Sequence, residues 1–274
     1  MTAPLRLLIL GAHPDDAEFH AGGLAAIYRS LGHTVKIISL TNGDAGHHEM
    51  SGPALAARRR DEMRAAAGVI GAEQEMWSSR DGCLEPTLAL RWQVIRALRT
   101  FAPDLVLTHR TNDYHPDHRA AGHLVRDASY LMTVPSIVPD VPICSAVPVV
   151  GYLPDRFTRP NPLRGDVVVD VALELETIVD MLACHGSQVF EWLPFNQGKL
   201  DSVPGDAPGR RRWLRQWYQQ YLRPQADRYR AELIATYGER RGSSVEFAEV
   251  FEISEYAAPL DAAARRRLFS FLPG

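Results

Sequence analysis

The stretch LRLLILGAHPDD, residues 5–16, decides the fold of this chain. Leu5 to Leu10 is a short, mostly apolar run, the pattern of a strand buried on both faces by helices packed above and below it. Gly11 to Asp16 reads as the turn that leaves the strand. Ala17 to Ser30 then takes up helical spacing, with Phe19, Leu24, Ile27 and Tyr28 as its apolar positions. Strand, turn and helix in this order open a βαβ unit.

The same rhythm continues outward. Thr34–Leu40 (TVKIISL) is the next expected strand, ended by Thr41-Asn42-Gly43-Asp44 and followed by a polar loop over about 46–53. A helix is expected over 54–70 with Gly71 closing it, a short strand over 75–78, a helix over 88–101, the strand DLVLT at 104–108, and a helix over 119–132. This alternation predicts a Rossmann-like three-layer α/β/α sandwich with a mostly parallel sheet. Beyond Pro135 the pattern weakens under prolines at 135, 139, 142, 148, 154, 160 and 162. Strands are expected over 147–153 and 166–171, a helix over 173–184, and a loop or lid over about 190–210. One domain over 1–274 is expected, made of a regular half, 1–135, and a less regular half, 136–274.

The bulk numbers exclude several classes. A net charge of -3 over 274 residues is not that of a nucleic-acid binder. The opening apolar run is too short for a signal segment or a membrane span, and no later stretch is long enough, so a soluble, cytoplasmic protein is expected. Cys83, Cys144 and Cys184 are far apart and form no CxxC, which argues against a disulfide framework or a thiolate metal knuckle. Any metal must be held by histidine and carboxylate.

Two segments carry such groups, and both directly follow an expected strand. His13-Pro14-Asp15-Asp16, with Glu18 behind it, places an imidazole beside carboxylates that would repel one another without a cation. His115-Pro116-Asp117-His118 follows Asn112 and Asp113; if Pro116 starts a helix, His115 and His118 share a face. Singly, each has a plain reading: a hydrogen-bonded structural histidine, or an Asp pair capping a helix. Together, at the same edge of a parallel sheet where ligands bind, they predict a metal site. Two imidazoles and one carboxylate would leave coordination positions open, as in catalytic zinc sites, where the metal activates water and polarises a carbonyl.

The chain resembles the PIG-L/LmbE-like N-acetylglucosaminyl deacetylases, zinc enzymes that remove acetyl from amino sugars and their conjugates. The resemblance rests on AHPDD at 12–16, Gly22-Gly23, TNGD at 41–44, Arg59 with Glu62, and HPDH at 115–118; it continues through His185, Ser187 and Gln188 to FAEVF at 247–251. It implies that His13, Asp16 and His118 bind Zn2+, with Fe2+ or another divalent ion as alternatives. It further implies that Asp15 is the general base, and that His115 stabilises the oxyanion or protonates the leaving amine. Asp117 would orient the His115 ring, and Arg59 would line the site and contact substrate. Many relatives read HPDDE, whereas here Ala17 intervenes and the acid is Glu18, for which charge compensation at a helix start is the plain alternative. The implied partner is a small N-acetylated sugar or conjugate, with homo-oligomerisation left open.

Other readings compete. Two histidines and a carboxylate also suit non-haem Fe(II) enzymes, although the βα rhythm weighs against that class. A non-catalytic sugar- or nucleotide-binding module would be expected to carry GxGxxG after the first strand, where GAHPDD stands instead. His47 and His48 read as loop polarity or a substrate mouth, and His109 with Arg110 as pocket floor or buried structure. His123 is read as structural. Trp213, Trp217 and Tyr221, at i, i+4 and i+8, read as a packing face of the core or of a subunit interface rather than a sugar platform.

Overall fold

A computed structural model describes residues 3–273. In chain order the strands are β1 (Arg6–Gly11), β2 (Thr34–Thr41), β3 (Glu73–Ser79), β4 (Leu105–Thr108), β5 (Val149–Tyr152), β6 (Val167–Asp170) and β7 (Ala248–Ile253). The helices are α1 (Asp16–Ser30), α2 (Gly52–Ile70), α3 (Leu88–Phe101), α4 (Pro116–Leu131), α5 (Leu175–Cys184), α6 (Leu193–Asn196), α7 (Ala207–Arg228), α8 (Arg230–Tyr237), α9 (Glu239–Gly242) and α10 (Ala262–Leu268). The strands form one seven-stranded sheet in the order β3-β2-β1-β4-β5-β7-β6. β1 to β5 run parallel, and β7 runs antiparallel between β5 and β6. The sheet is therefore mostly parallel, as expected.

Alternation along β1 divides its side chains between two cores. Leu7 and Ile9 pack with α1, α2, α5 and α7, while Leu8 and Leu10 face α3 and α4 on the other side. Local chemistry sets the helix ends. Gly71 closes α2 in the left-handed region at φ 67°, and Thr87 caps α3 by accepting from the Leu90 amide at 3.3 Å. Pro116 does start α4, with His115 in the cap position.

Two features went unread in the sequence. The segment at 247–251 belongs to β7, and Ser187–Trp192 is a π-helical turn leading into α6. The expected loop near 200 is shorter than foreseen, because α7 already starts at Ala207. The aromatic stripe does pack on the core: Trp213, Trp217 and Tyr221 are half-buried against it.

The chain leaves β1 toward β2 and β3 on one side, and later fills β4 and β5 on the other. The order reverses between β1 and β4, and a crevice opens there beyond the strands' carboxyl ends. No helix among the described residues is long and apolar enough to cross a membrane.

Candidate metal centre and its pocket

Leu10 lies opposite Thr108 in the β1–β4 register, so the two motif segments leave the sheet side by side. The Thr108 hydroxyl donates to the Leu10 carbonyl at 3.0 Å and ties the exits together. Gly11 permits the turn that follows, since a Cβ there would stand 2.8 Å from the Asp16 Cβ. The His13 amide then donates to Asp16 Oδ2 at 2.7 Å and folds the turn back on itself.

The three expected metal ligands meet pairwise. His13 Nδ1 is 3.6 Å from Asp16 Oδ2, and His118 Nε2 is 3.6 Å from Asp16 Oδ1. Two ligands on one tetrahedral zinc ion lie roughly 3.3 Å apart, given bonds of about 2.0–2.1 Å. Among the described residues, three sets of donors fall within 4.8 Å of one another: His13 with His115 and His118, Asp16 with His109 and His118, and His13 with Asp81 and Asp117. The expected trio is drawn from the first two sets, joined through His118.

Each histidine of the trio has its other nitrogen engaged. His118 Nδ1 is 3.1 Å from Asp113 Oδ1, which leaves Nε2 toward Asp16. His13 Nε2 is 3.3 Å from Asp117 and 3.2 Å from Asp81. A carboxylate behind a metal-binding imidazole fixes its tautomer and raises its basicity. The field of the site favours a cation. Burial opposes a charged His13, yet Asp117, Asp16 and Asp81 outweigh it and lift its pKa well above the usual histidine range. Burial likewise disfavours an ionised Asp16, but His109 and His118 hold its carboxyl well below the usual range. Burial and the neighbouring His13 and His118 push the His115 pKa down.

Asp15 and Arg59 form the adjoining wall. Asp15 occupies the cap position of α1 but makes no side-chain cap bond, so the capping reading does not hold for it. Its Oδ1 accepts instead from Arg59 Nη2 at 2.9 Å. Arg59 is 2% exposed and packs on Gly43, whose Cβ would approach its Cδ to 2.7 Å; with φ at 65°, the TNGD turn needs glycine twice over.

One expectation needs correction. The Asp117 carboxylate does not reach the His115 ring. It accepts from the amides of Gly82 and Leu84 and faces His13, because α4 turns it back toward the end of β3. Only its backbone amide touches His115, donating to Nδ1 at 3.2 Å. Asp81 lies outside both motifs, and its one sequence signal is that of an acid just beyond a short strand, like those beyond β1 and β4.

These groups open into a cavity of about 680 Å³. Its far walls are aromatic: Phe19 and Tyr114 near the motifs, and Phe157, Trp192 and Tyr221 from the later chain. Tyr221 lies 2.7 Å by its hydroxyl from His20 Nδ1, so the stripe that packs the core also reaches the pocket. Burial drives the His20 pKa down to about 4, which keeps that ring neutral. His47 Nε2 sits 2.9 Å from Glu191, which also binds Arg58, so His47 latches the 44–53 loop to the π-helical turn instead of facing the cavity. His48 stacks on Phe195. His185 is fully buried, 3.5 Å from Glu18.

Residues 8–129, which contain both motif segments, match the family described as GlcNAc-PI de-N-acetylase, PIG-L. A 4-oxalmesaconate hydratase of Pseudomonas putida is 25% identical over 193 residues, 68% of this chain and 74% of that protein. A 1D-myo-inositol 2-acetamido-2-deoxy-alpha-D-glucopyranoside deacetylase of Saccharopolyspora erythraea is 26% identical over 251 residues, 70% of this chain and 80% of that one. Among solved structures, a 4-carboxy-2-hydroxymuconate hydratase from Pseudomonas putida superposes at a TM-score of 0.71, with 20% identity and coverage of 91% and 95%. An N,N'-diacetylchitobiose deacetylase from Pyrococcus horikoshii does so at 0.70, with 21% identity and coverage of 92% and 84%. At those identities the structures speak for the fold.

Proposed function

We propose that this protein is a metal-dependent hydrolase that removes the N-acetyl group from an amino sugar or sugar conjugate. The observation that carries the reading is the meeting of His13, Asp16 and His118 at the sheet's reversal point, with the Arg59-held Asp15 beside them. His13, Asp16 and His118 would hold Zn2+ or another divalent ion, and the donor chemistry fits: two imidazoles whose second nitrogens face carboxylates, and one buried carboxylate. Such an ion, when bound, supplies Lewis acidity toward the acyl carbonyl and lowers the pKa of water.

The chain's own groups divide the remaining work. Asp15, accepting from Arg59 through Oδ1, keeps its other oxygen to take a proton from the attacking water. His115 accepts the Asp117 amide at Nδ1, so a neutral ring carries its hydrogen on Nε2 and can donate it to the oxyanion. Protonation of the leaving amine would then fall to Asp15 once it has taken its proton. The aromatic walls suit the apolar faces of sugar rings. The inositol glycoside deacetylase is the relative that points to this substrate class.

A second reading is favoured by one finding, the similarity to a hydratase. Addition of water to a double bond could use the same cation and base. An anionic substrate would call for spare cations, however, and Arg59 and Arg110 already face Asp15 and Asp155, leaving Arg156 among the arginines lining the pocket. The deciding experiment offers the zinc-loaded protein a panel of N-acetylated sugars and conjugates, with unsaturated carboxylates alongside, and Asp15→Asn as control. Amine release that depends on Asp15 is expected. Amine release from none of the sugars, with loss of the ultraviolet band of an unsaturated acid, would replace this reading with hydration.

A further inference from the structure

His109, the first residue after β4, stands against two of the three proposed ligands and has no part in the chemistry above. Its side chain is 3% exposed, and its Nε2 lies 2.9 Å from Asp16 Oδ2. Its ring stacks on His118, with centroids 3.9 Å apart and planes 12° from parallel. The Ala12 amide also points at Nε2, from 3.2 Å. One buried ring thus touches the β1 turn, α1 and α4 at the point where they converge.

We infer that His109 is a positioning residue for the metal centre, fixing Asp16 by hydrogen bond and His118 by stacking. Asp16 Oδ2 is occupied by the His13 amide and by His109, so the carboxylate presents Oδ1, the oxygen 3.6 Å from His118 Nε2. The His118 ring is held in its plane by Asp113 through Nδ1 and against its face by His109. A carboxylate behind an imidazole ligand is the common outer partner; here an imidazole stands behind the carboxylate ligand as well. His109 shares a donor set with Asp16 and His118, so direct coordination is the rival role. Positioning is preferred because an Nε2 that donates its hydrogen to Asp16 Oδ2 at 2.9 Å has no lone pair left for a metal ion.

The inference rests on the metal-dependent reading, and its test separates the two. Zinc affinity is measured by chelator competition, and the visible spectrum of the cobalt-loaded protein is recorded, for wild type and for His109→Ala, His109→Gln and His109→Phe. Outer partners of metal ligands are worth about 10–100-fold in affinity. His109→Ala is expected to weaken zinc by that factor with the cobalt band intact in intensity. His109→Gln, which can donate to Asp16, should recover most of the loss, and His109→Phe, which keeps only the stack, should recover less. Should His109→Ala fail to fold, the order of the other two still decides the matter. Wild-type affinity in all three variants would overturn the inference, as would a cobalt spectrum in His109→Gln showing one nitrogen ligand fewer. A wild-type protein that binds no zinc would overturn the functional reading itself.

Discussion

The two ends of the pocket are built by different means. The candidate metal end consists of short segments leaving adjacent strands, and part of its bonding closes within each motif: His13 with Asp16, His115 with Asp113, the Asp117 amide with His115. The far end is assembled from distant pieces, with Phe157 after β5, Trp192 in the π-helical turn and Tyr221 in α7. Its joints span the chain, as when Tyr221 meets His20 or the Tyr218 hydroxyl donates to the Phe19 carbonyl at 2.8 Å. Polar groups that must hold a cation need rigid, dense placement, which strand ends provide. A wall that only has to present rings can be supplied by any packed helix. Catalysis should therefore be sensitive to substitution at the first end, and substrate preference at the second.

The largest effect expected is from His13→Ala. Metal content and turnover should fall together by more than about 100-fold, beyond what an outer partner is worth; elemental analysis after dialysis checks it, and full zinc content would break the assignment. Asp15→Asn should keep its metal and lose about 10²–10⁴ in kcat, the usual range for a general base. Steady-state kinetics with metal analysis on the same sample tests that split. Tyr221→Phe removes one neutral hydrogen bond from the far wall, worth about 1 kcal/mol or roughly fivefold. The change should appear in KM for a bulky conjugate with kcat preserved, and an equal fall in kcat would erase the contrast between the two ends.

The smallest effect concerns the joint between them. Within α1, Ala21 leaves helical geometry, and Glu249 of β7 accepts from the Gly23 and Leu24 amides at 2.7 and 2.8 Å, capping the second half of the helix. Burial pushes its carboxyl up to about 8 from the usual value near 4.5, against the pull of those two amides. The folded chain then keeps a proton that the unfolded chain has lost between those pH values, so this group's contribution to stability falls as pH rises from about 4.5 to about 8. Glu249→Gln has no such titration. The melting temperature of wild type relative to the variant should be highest near pH 5 and decline by a few degrees toward pH 8. A constant difference across that range would refute the assignment.

Legibility followed the same division. Both motif segments, their placement beyond buried strands and the start of α4 at Pro116 could be read from residue type and spacing, because turn and cap chemistry is local. The direction of Asp117 could not, since whether it met His115 or His13 depended on where the end of β3 came to lie. Asp81 was hidden for the same reason. The stripe at Trp213, Trp217 and Tyr221 was legible as a packing face. That Tyr221 also borders the cavity required knowing that α7 crosses beside His20.

By itself the sequence determined a parallel βα framework and which two turns hold the histidines and carboxylates, because hydrophobic period and turn residues act over a few positions. Only the tertiary structure decided which carboxylate stands behind which imidazole, that His109 braces Asp16, and which helix closes the far wall. Those contacts join residues roughly a hundred or two hundred positions apart. Their geometry follows from strand order and helix packing, which no local pattern encodes.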